Sequence, residues 1–417
     1  MEFRSPNCIA KWRYQLRFDL QNGVCLAILN VKTMNNIRRL FKQPADSFFL
    51  LGPRGTGKSL WCRKEMADAV YIDLLDEATF RIYASHPERL LEVQAGTARK
   101  TFIIDEVQKV PTILNAVHLL IEKDKTLQFA LTGSSPRKLR QGGMNLLGGR
   151  ALNKRMHPFM AAELGKAFSI EKGLNWGMLP LVWGAVSPIE KRNAYAGLYL
   201  REEIQMEGLT RHIGDFSRFL ESISFSHGST LNLASIARDC AVERKRVESY
   251  VSILEDLLLG HRLSVFTKRA QRLLSHQEKF YFFDTGIFRS IRPTGPLDSV
   301  SEIEGAALEG LIFQHLHAWC DYTDVPNKVY FWQTRAQLEV DFVIYGESGL
   351  WAFEVKSTQK VRPEDQRGLK AFAHDYPMAQ LAILYRGHEI LKQGNILYLP
   401  CEHFLQNLTP NQPLWRV

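Results

Sequence analysis

The sequence predicts an α/β fold whose first half is a parallel sheet covered by helices on both faces, with two smaller modules after it. Three observations carry this expectation. From 47 to about 157, short and nearly continuous apolar strands alternate with helical stretches, as strands buried on both faces require. The first strand runs directly into Gly52-Pro53-Arg54-Gly55-Thr56-Gly57-Lys58-Ser59, and the helical-looking stretch after it begins at Leu60. A later strand, Thr101-Phe-Ile-Ile-Asp105, ends in two carboxylates, Asp105 and Glu106.

Taken in order, the strand candidates are 47–51, 70–74, 101–105, 127–132 and 151–156. The loop after the first has the G-x-x-x-x-G-K-[ST] spacing. Its glycines let successive backbone N–H groups curl round a phosphate, and the helix N-terminus adds the positive end of its dipole. A nucleotide is therefore expected on residues Gly52 to Leu60, with Lys58 reaching the β- and γ-phosphates and the Ser59 hydroxyl ligating Mg²⁺. Asp105 suits the same metal, and Glu106 the orientation of an attacking water. Thr132, in Leu131-Thr-Gly-Ser134, is placed to sense the γ-phosphate, with Ser134 next to it. Arg150, just before the last core strand, is the candidate arginine finger at a subunit-facing edge, with surface pairing to a carboxylate the alternative, and Arg201 is a second candidate for sensing the γ-phosphate. Residues 160–207 read as wholly helical, broken at Pro180 and Pro188.

Composition narrows the class. A chain of 417 residues has room for two or three cores, and 45% apolar with 23% charged residues is ordinary globular composition rather than a disordered one. No apolar run reaches the ~18–20 residues that cross a bilayer, so no membrane partner is expected. Six scattered cysteines without a C-x-x-C pair fit reduced thiols in a cytoplasmic protein. The net charge of +9 is uneven. Arg137, Lys138, Arg140, Arg150, Lys154 and Arg155 form one basic stretch, and Arg262, Lys268, Arg269, Arg272 and Lys279 another. Such clusters suit a polyanion.

The quoted motifs Phe-Phe-Leu-Leu-Gly-Pro-Arg-Gly-Thr-Gly-Lys-Ser, Ile-Ile-Asp-Glu-Val-Gln and Leu-Thr-Gly-Ser-Ser-Pro-Arg-Lys-Leu resemble the bacterial and archaeal family of AAA-type ATP-binding proteins. That family carries a winged helix and a C-terminal domain of unknown function with nuclease-like strands. The resemblance covers roughly residues 36–400 and implies an AAA-like P-loop fold with a DNA-related role. Residues 1–33 depart from it. Met34 reads as a start, so they are expected to be a leader set by the choice of start codon.

The expected organisation is an ATPase with a helical extension over 34–207, a winged helix over 210–292, a nuclease-like domain over 297–400 and a tail over 401–417. In the second of these, Arg244, Lys245 and Arg246 open a helix whose Val247, Tyr250, Val251 and Leu254 share one face. They are the expected DNA contacts. In the third, Asp341 on one strand of a hairpin and Glu354-x-Lys356 on the other form the D…(D/E)-x-K pattern of restriction-endonuclease-like folds. Alternation on a strand puts Glu354 and Lys356 on one face. Two carboxylates there would hold a second Mg²⁺ or Mn²⁺, with Lys356 helping to activate water. Glu309 matches an additional acidic position and Gln366 a polar one. The same alternation also describes a hairpin with one wet face.

The function expected from the sequence is a Mg²⁺-dependent AAA-type ATPase coupled to a DNA-binding, nuclease-like C-terminal domain, with self-association a candidate state. The alternative is an ATP-dependent switch or scaffold whose C-terminal domain cuts nothing and binds a protein partner.

Overall fold

The computed structural model describes residues 37–134, 137, 147–199, 213–268, 274 and 277–415. The expected leader over 1–33, Arg201, and the basic residues Lys138, Arg140, Arg269 and Arg272 lie outside the described residues.

Five strands form the first sheet: β1 (Phe48–Leu51), β2 (Val70–Asp73), β3 (Thr101–Asp105), β4 (Gln128–Gly133) and β5 (Leu152–Arg155). All pairings are parallel, in the order β2-β3-β4-β1-β5. Alternate residues feed two cores. Phe48, Leu50, Ile103 and Ala130 face one layer, while Phe49, Leu51, Phe102, Ile104, Phe129 and Leu131 face the other. That double coverage is why these strands read as unbroken apolar runs. Helix α1 (Lys58–Glu65) follows β1 directly.

In its described part, 160–199, the stretch expected to be helical over 160–207 with breaks at Pro180 and Pro188 is a chain of short helices, among them Ala161–Leu164, Ile170–Trp176, Pro180–Trp183 and Pro188–Ala194. Gly165 (φ 51°) and Gly177 (φ 78°) stand in the left-handed region, which ends a helix. A Cβ on Gly177 would lie 2.1 Å from Asp284 Oδ1, so that turn admits no side chain.

One buried ion pair joins this segment to the glycine-rich loop. Arg39 Nε donates to Glu163 Oε1 at 3.0 Å, Nη1 to the Thr56 carbonyl at 2.6 Å and Nη2 to the His157 carbonyl at 2.6 Å. Glu163 also accepts the N–H groups of Leu40 (2.6 Å) and Met160 (2.9 Å).

In the middle of the chain, helices α2 (Ile213–Ser224), α3 (Leu233–Cys240) and α4 (Arg244–Asp256) pack beside a three-stranded antiparallel sheet. Its strands are β6 (Ser229–Thr230), β7 (Gly260–Leu263) and β8 (Lys279–Phe282), with β8 central. The apolar face read from the sequence is buried at Val247, Tyr250, Val251 and Leu254.

The last sheet has the order β13-β14-β12-β11-β10-β9. It comprises β9 (Asn327–Gln333), β10 (Glu339–Gly346), β11 (Gly349–Lys356), β12 (Gln380–Tyr385), β13 (Leu391–Gln393) and β14 (Ile396–Pro400). Helix α5 (Val300–Tyr322) packs Leu308, Leu311 and Phe313 into the same core as Phe342 and Phe353, and α6 (Arg367–Asp375) covers the other face. The segment expected as a tail from 401 is a structural part of this unit. Helix α7 (Cys401–Asn407) buries Cys401, Phe404 and Leu405, and Trp415 stands edge-on to Phe353.

Truncating one member of a buried ion pair strands the other. Arg39→Ala is therefore expected to lower unfolding stability by about 3–5 kcal/mol, measured by urea denaturation. A loss under 1 kcal/mol would show that the pair does not hold the loop to the 157–163 segment.

Candidate functional site

The carboxyl ends of the parallel strands converge on one side chain. Asp105 ends β3, and β4 lies between β3 and β1, so the end of β4 stands between Asp105 and the glycine-rich loop. Thr132 of β4 donates its hydroxyl to Asp105 Oδ1. Ser59, in the first turn of α1, donates to the same oxygen at 3.0 Å, and Tyr71 of β2 donates to Oδ2. Burial, and next the hydrogen bond to Asp105, push the Tyr71 phenol up from its ordinary pKa. Burial first, and then the charge of Asp105, raise the neighbouring Cys62 thiol to about 12, so this cysteine is an inert packing residue.

The loop itself is shaped by close approach. A Cβ on Gly52 would lie 2.5 Å from the Met156 carbonyl oxygen, while Gly55 and Gly57 have φ of +78° and +92°. The Lys58 ammonium, buried, donates to the carbonyls of Gly52 (2.6 Å) and Pro53 (3.1 Å). Thr56 Oγ1 donates to the Pro53 carbonyl at 2.8 Å, and the Tyr195 hydroxyl to that of Arg54 at 3.0 Å. Leu60 is exposed, at a cleft beside Gly57 that Ile37, Arg39, Trp61, Phe159 and Pro180 line. Ser59 and Asp105 offer the oxygen ligands that Mg²⁺ prefers, already side by side.

Glu106 adopts φ 58°, uncommon for a residue with a side chain, and its N–H donates to Thr132 Oγ1 at 3.1 Å. Its carboxylate accepts from Gln108 Nε2, which also reaches Ser134 Oγ at 3.1 Å. Gln108, Arg39, Tyr71 and Tyr195 were missed by sequence reasoning. Only Gln108 left a signal, two residues past the paired carboxylates in the quoted motif.

Arg150 stands away from the loop of its own chain. The register Phe48↔Leu152 and Leu51↔Arg155 puts it before the amino end of β5, at the opposite end of the sheet from the loop. There it donates to Glu122 and holds that carboxyl down at about 2. Strand polarity thus denies it the phosphates of its own chain and leaves a finger role only toward a second copy.

The register Phe342↔Phe353 sets Asp341 beside Glu354 and Lys356, as the D…E-x-K spacing predicts, and burial followed by the charge of Asp341 raises the Glu354 carboxyl well above its ordinary value. Asp341 Oδ2 accepts the Val355 N–H at 2.8 Å, whereas Glu354 Oε1 takes the Lys356 ammonium at 2.7 Å. Glu309 and Asp341 also meet around Lys279, which β8 delivers. Its Nζ lies 3.0 Å from Glu309 Oε1 and 3.7 Å from Asp341 Oδ1, and it also contacts Glu339. Burial works to lower the Lys279 pKa, but the charges of Glu309 and its neighbours win and hold it well above its ordinary value. Burial raises the Glu309 carboxyl to about 7, against the pull of Lys279. Among the described residues no group of three His, Cys, Asp or Glu is arranged to hold a metal. The second metal therefore does not fit this arrangement. Gln366 turns away, to Tyr398 Oη (2.5 Å) and Gln393 (3.0 Å).

Of the three basic residues opening α4, Arg244 and Lys245 are exposed, while Arg246 is tied to Asp215 at 3.1 Å. No helix among the described residues is long and apolar enough to cross a membrane.

A parallel sheet with a glycine-rich loop after β1, and acidic residues after a strand one removed from it, defines a P-loop nucleotide-binding fold. Residues 45–165 match an AAA domain. Residues 168–298 and 304–404 match two domains of unknown function, DUF8612 and DUF4143. The chain is thus an AAA-type ATP-binding protein with a C-terminal domain of unknown function. Uncharacterised proteins of Mycobacterium tuberculosis and Mycobacterium bovis are each 22% identical to it over 395 residues, spanning 91% of this chain and 86% of the relative. Among solved structures, the Walker-type ATPase PABY2304 of Pyrococcus abyssi aligns at 13% identity and a TM-score of 0.41, over 62% of this chain and all of that one. The RuvB Holliday junction branch migration motor of Thermotoga maritima aligns at 14% identity and a TM-score of 0.26, over 58% and 89%.

The two polar residues after β3 give separable expectations. Glu106→Gln should lower ATP turnover by about 10²-fold or more while leaving nucleotide affinity within about threefold. Gln108→Leu should lower turnover in the same direction by a smaller factor. Steady-state phosphate release and fluorescent-nucleotide titration check both, and a turnover unchanged in Glu106→Gln would remove this residue from the chemistry.

Proposed function

We propose that this protein is a Mg²⁺-dependent ATPase of the cytoplasm whose nucleotide state is passed to a DNA-contacting, nuclease-like C-terminal half. The observation that carries the ATPase reading is the meeting of Ser59, Thr132 and Tyr71 on Asp105, with Glu106 on the next residue. Lys58, released from the loop carbonyls, would pair with the terminal phosphates. Ser59 and Asp105 would hold Mg²⁺, which supplies positive charge against the phosphate oxygens. Glu106, held by Gln108, is placed to orient water. Thr132 touches both the Asp105 carboxylate and the Glu106 backbone, so a change at the phosphates reaches the end of β4. The cleft beside Gly57, with Trp61 and Phe159 in its wall next to the charged Arg39, Lys64 and Glu65, is the candidate place for the base.

Support for DNA contact comes from the exposed Arg244 and Lys245 on the first turn of α4, with a short strand pair beside it. The second reading, a nucleotide-dependent switch or scaffold that cuts nothing and binds a protein partner, is favoured by the Lys279 ammonium among the carboxylates.

The decisive experiment measures ATP turnover with and without duplex, single-stranded and branched DNA. Stimulation of several-fold by one of them supports the first reading; turnover indifferent to all three, with no gel shift, supports the second. If Arg244 and Lys245 contact phosphates, the double change to Glu should weaken DNA binding by an order of magnitude or more. It should also flatten the salt dependence by about 0.9 per lost phosphate contact, with DNA-free turnover unchanged. Equal affinity and salt slope would exclude this helix.

A further inference from the structure

The carboxylates of the C-terminal sheet already surround a cation, and that cation is part of the chain. Lys279 begins the central strand β8 of the middle module, with its side chain 3% exposed. Three carboxylates from two elements of the C-terminal unit meet it: Glu309 from α5, and Glu339 and Asp341 from β10. Tyr281, two residues along the same face of β8, donates its hydroxyl to Glu309 and stacks on Phe313 with ring centroids 4.4 Å apart. Gln333 donates to the remaining oxygen of Glu339 at 2.7 Å, and the Val355 N–H to that of Asp341. The arrangement is a closed shell around one ammonium.

We propose that Lys279 is the resident cation of this carboxylate site, so that the site binds no divalent metal and instead locks the middle module to the C-terminal sheet. The lock follows from the geometry. An ammonium this deeply buried is tolerated only where it is paired and hydrogen-bonded. Removing β8, or replacing Lys279 by a neutral side chain, would leave Glu309, Glu339 and Asp341 facing one another without that counter-charge. That vacancy is what a hard divalent cation fills with oxygen ligands. Glu354 Oε2 is the one buried carboxylate oxygen here without a hydrogen-bond partner among the described residues. Glu354 Oε1 is taken by Lys356 and Asp341 Oδ1 faces the Lys279 ammonium at 3.7 Å, so a metal between Glu354 and Asp341 would have to sit against two ammonium groups.

The test titrates Mn²⁺ into the full chain, stripped of nucleotide and metal, and reads binding by electron paramagnetic resonance together with the melting temperature. Wild type is expected to show no saturable Mn²⁺ site that depends on Asp341. Lys279→Ala should acquire one, with a rise in melting temperature, and Lys279→Ala/Asp341→Asn should lose it again. Lys279→Arg, which keeps the charge, should behave as wild type. A Mn²⁺ site in wild type that disappears in Asp341→Asn but persists in Ser59→Ala would overturn the proposal. Should Lys279→Ala fail to fold, comparing wild type with Asp341→Asn and Ser59→Ala still decides it. No ATP or DNA enters the assay, so its outcome is independent of the ATPase reading.

Discussion

The constraint on which the nucleotide site depends is the placing of β4 between β1 and β3 in a sheet whose strands all run one way. Parallel strands present their carboxyl ends at one edge, and the order decides which of those ends are neighbours. With β4 in the gap, Thr132 reaches both the Asp105 carboxylate and the Glu106 backbone. α1, leaving the loop after β1, brings Ser59 to the same carboxylate. Exchange any two strands and these groups separate by at least one strand spacing, about 4.8 Å, beyond hydrogen-bond reach. The same polarity takes Arg150 to the other end of the sheet.

Two buried cations connect this sheet to its surroundings and work in similar ways. Arg39 gathers the loop carbonyl of Thr56, the carbonyl of His157 and the carboxylate of Glu163, so the backbone that cradles phosphate is tied to the helical segment after β5. Lys279 gathers carboxylates of the C-terminal unit onto the middle sheet. In both places a charge that would be costly alone is surrounded by oxygens from distant parts of the chain. Such pairs add little net stability compared with apolar packing, but they penalise every arrangement in which the partners are apart. They therefore fix the relative position of elements that apolar contacts alone would leave free to slide.

Elements with strong local patterning were legible in the sequence. The five parallel strands, the glycine-rich loop, the helices at 233–240 and 243–258 and the hairpin around Gly346–Gly349 were placed within a few residues of where they lie. The misread parts lack such a pattern. Residues 160–207 are rich in good helix formers, yet Gly165 and Gly177 break the run, the second because Asp284 leaves no room for a Cβ. The segment from 401 is short and mixed in character, and its burial depends on Phe353, nearly fifty positions earlier.

By itself, the sequence determined the chemistry that depends on residues close together along the chain: the loop from Gly52 to Ser59, and Asp105 followed by Glu106. Backbone spacing there is set by covalent geometry, and a strand or helix boundary is enough to aim the groups. Tertiary structure alone decided which distant charges meet. The D…E-x-K spacing at Asp341, Glu354 and Lys356 reads as a metal site because the pattern records only those residues. The ammonium that Glu309 and Asp341 face sits more than sixty positions before Asp341, on a strand of another module. Long-range electrostatics follow the path of the folded chain, and no local periodicity encodes that path.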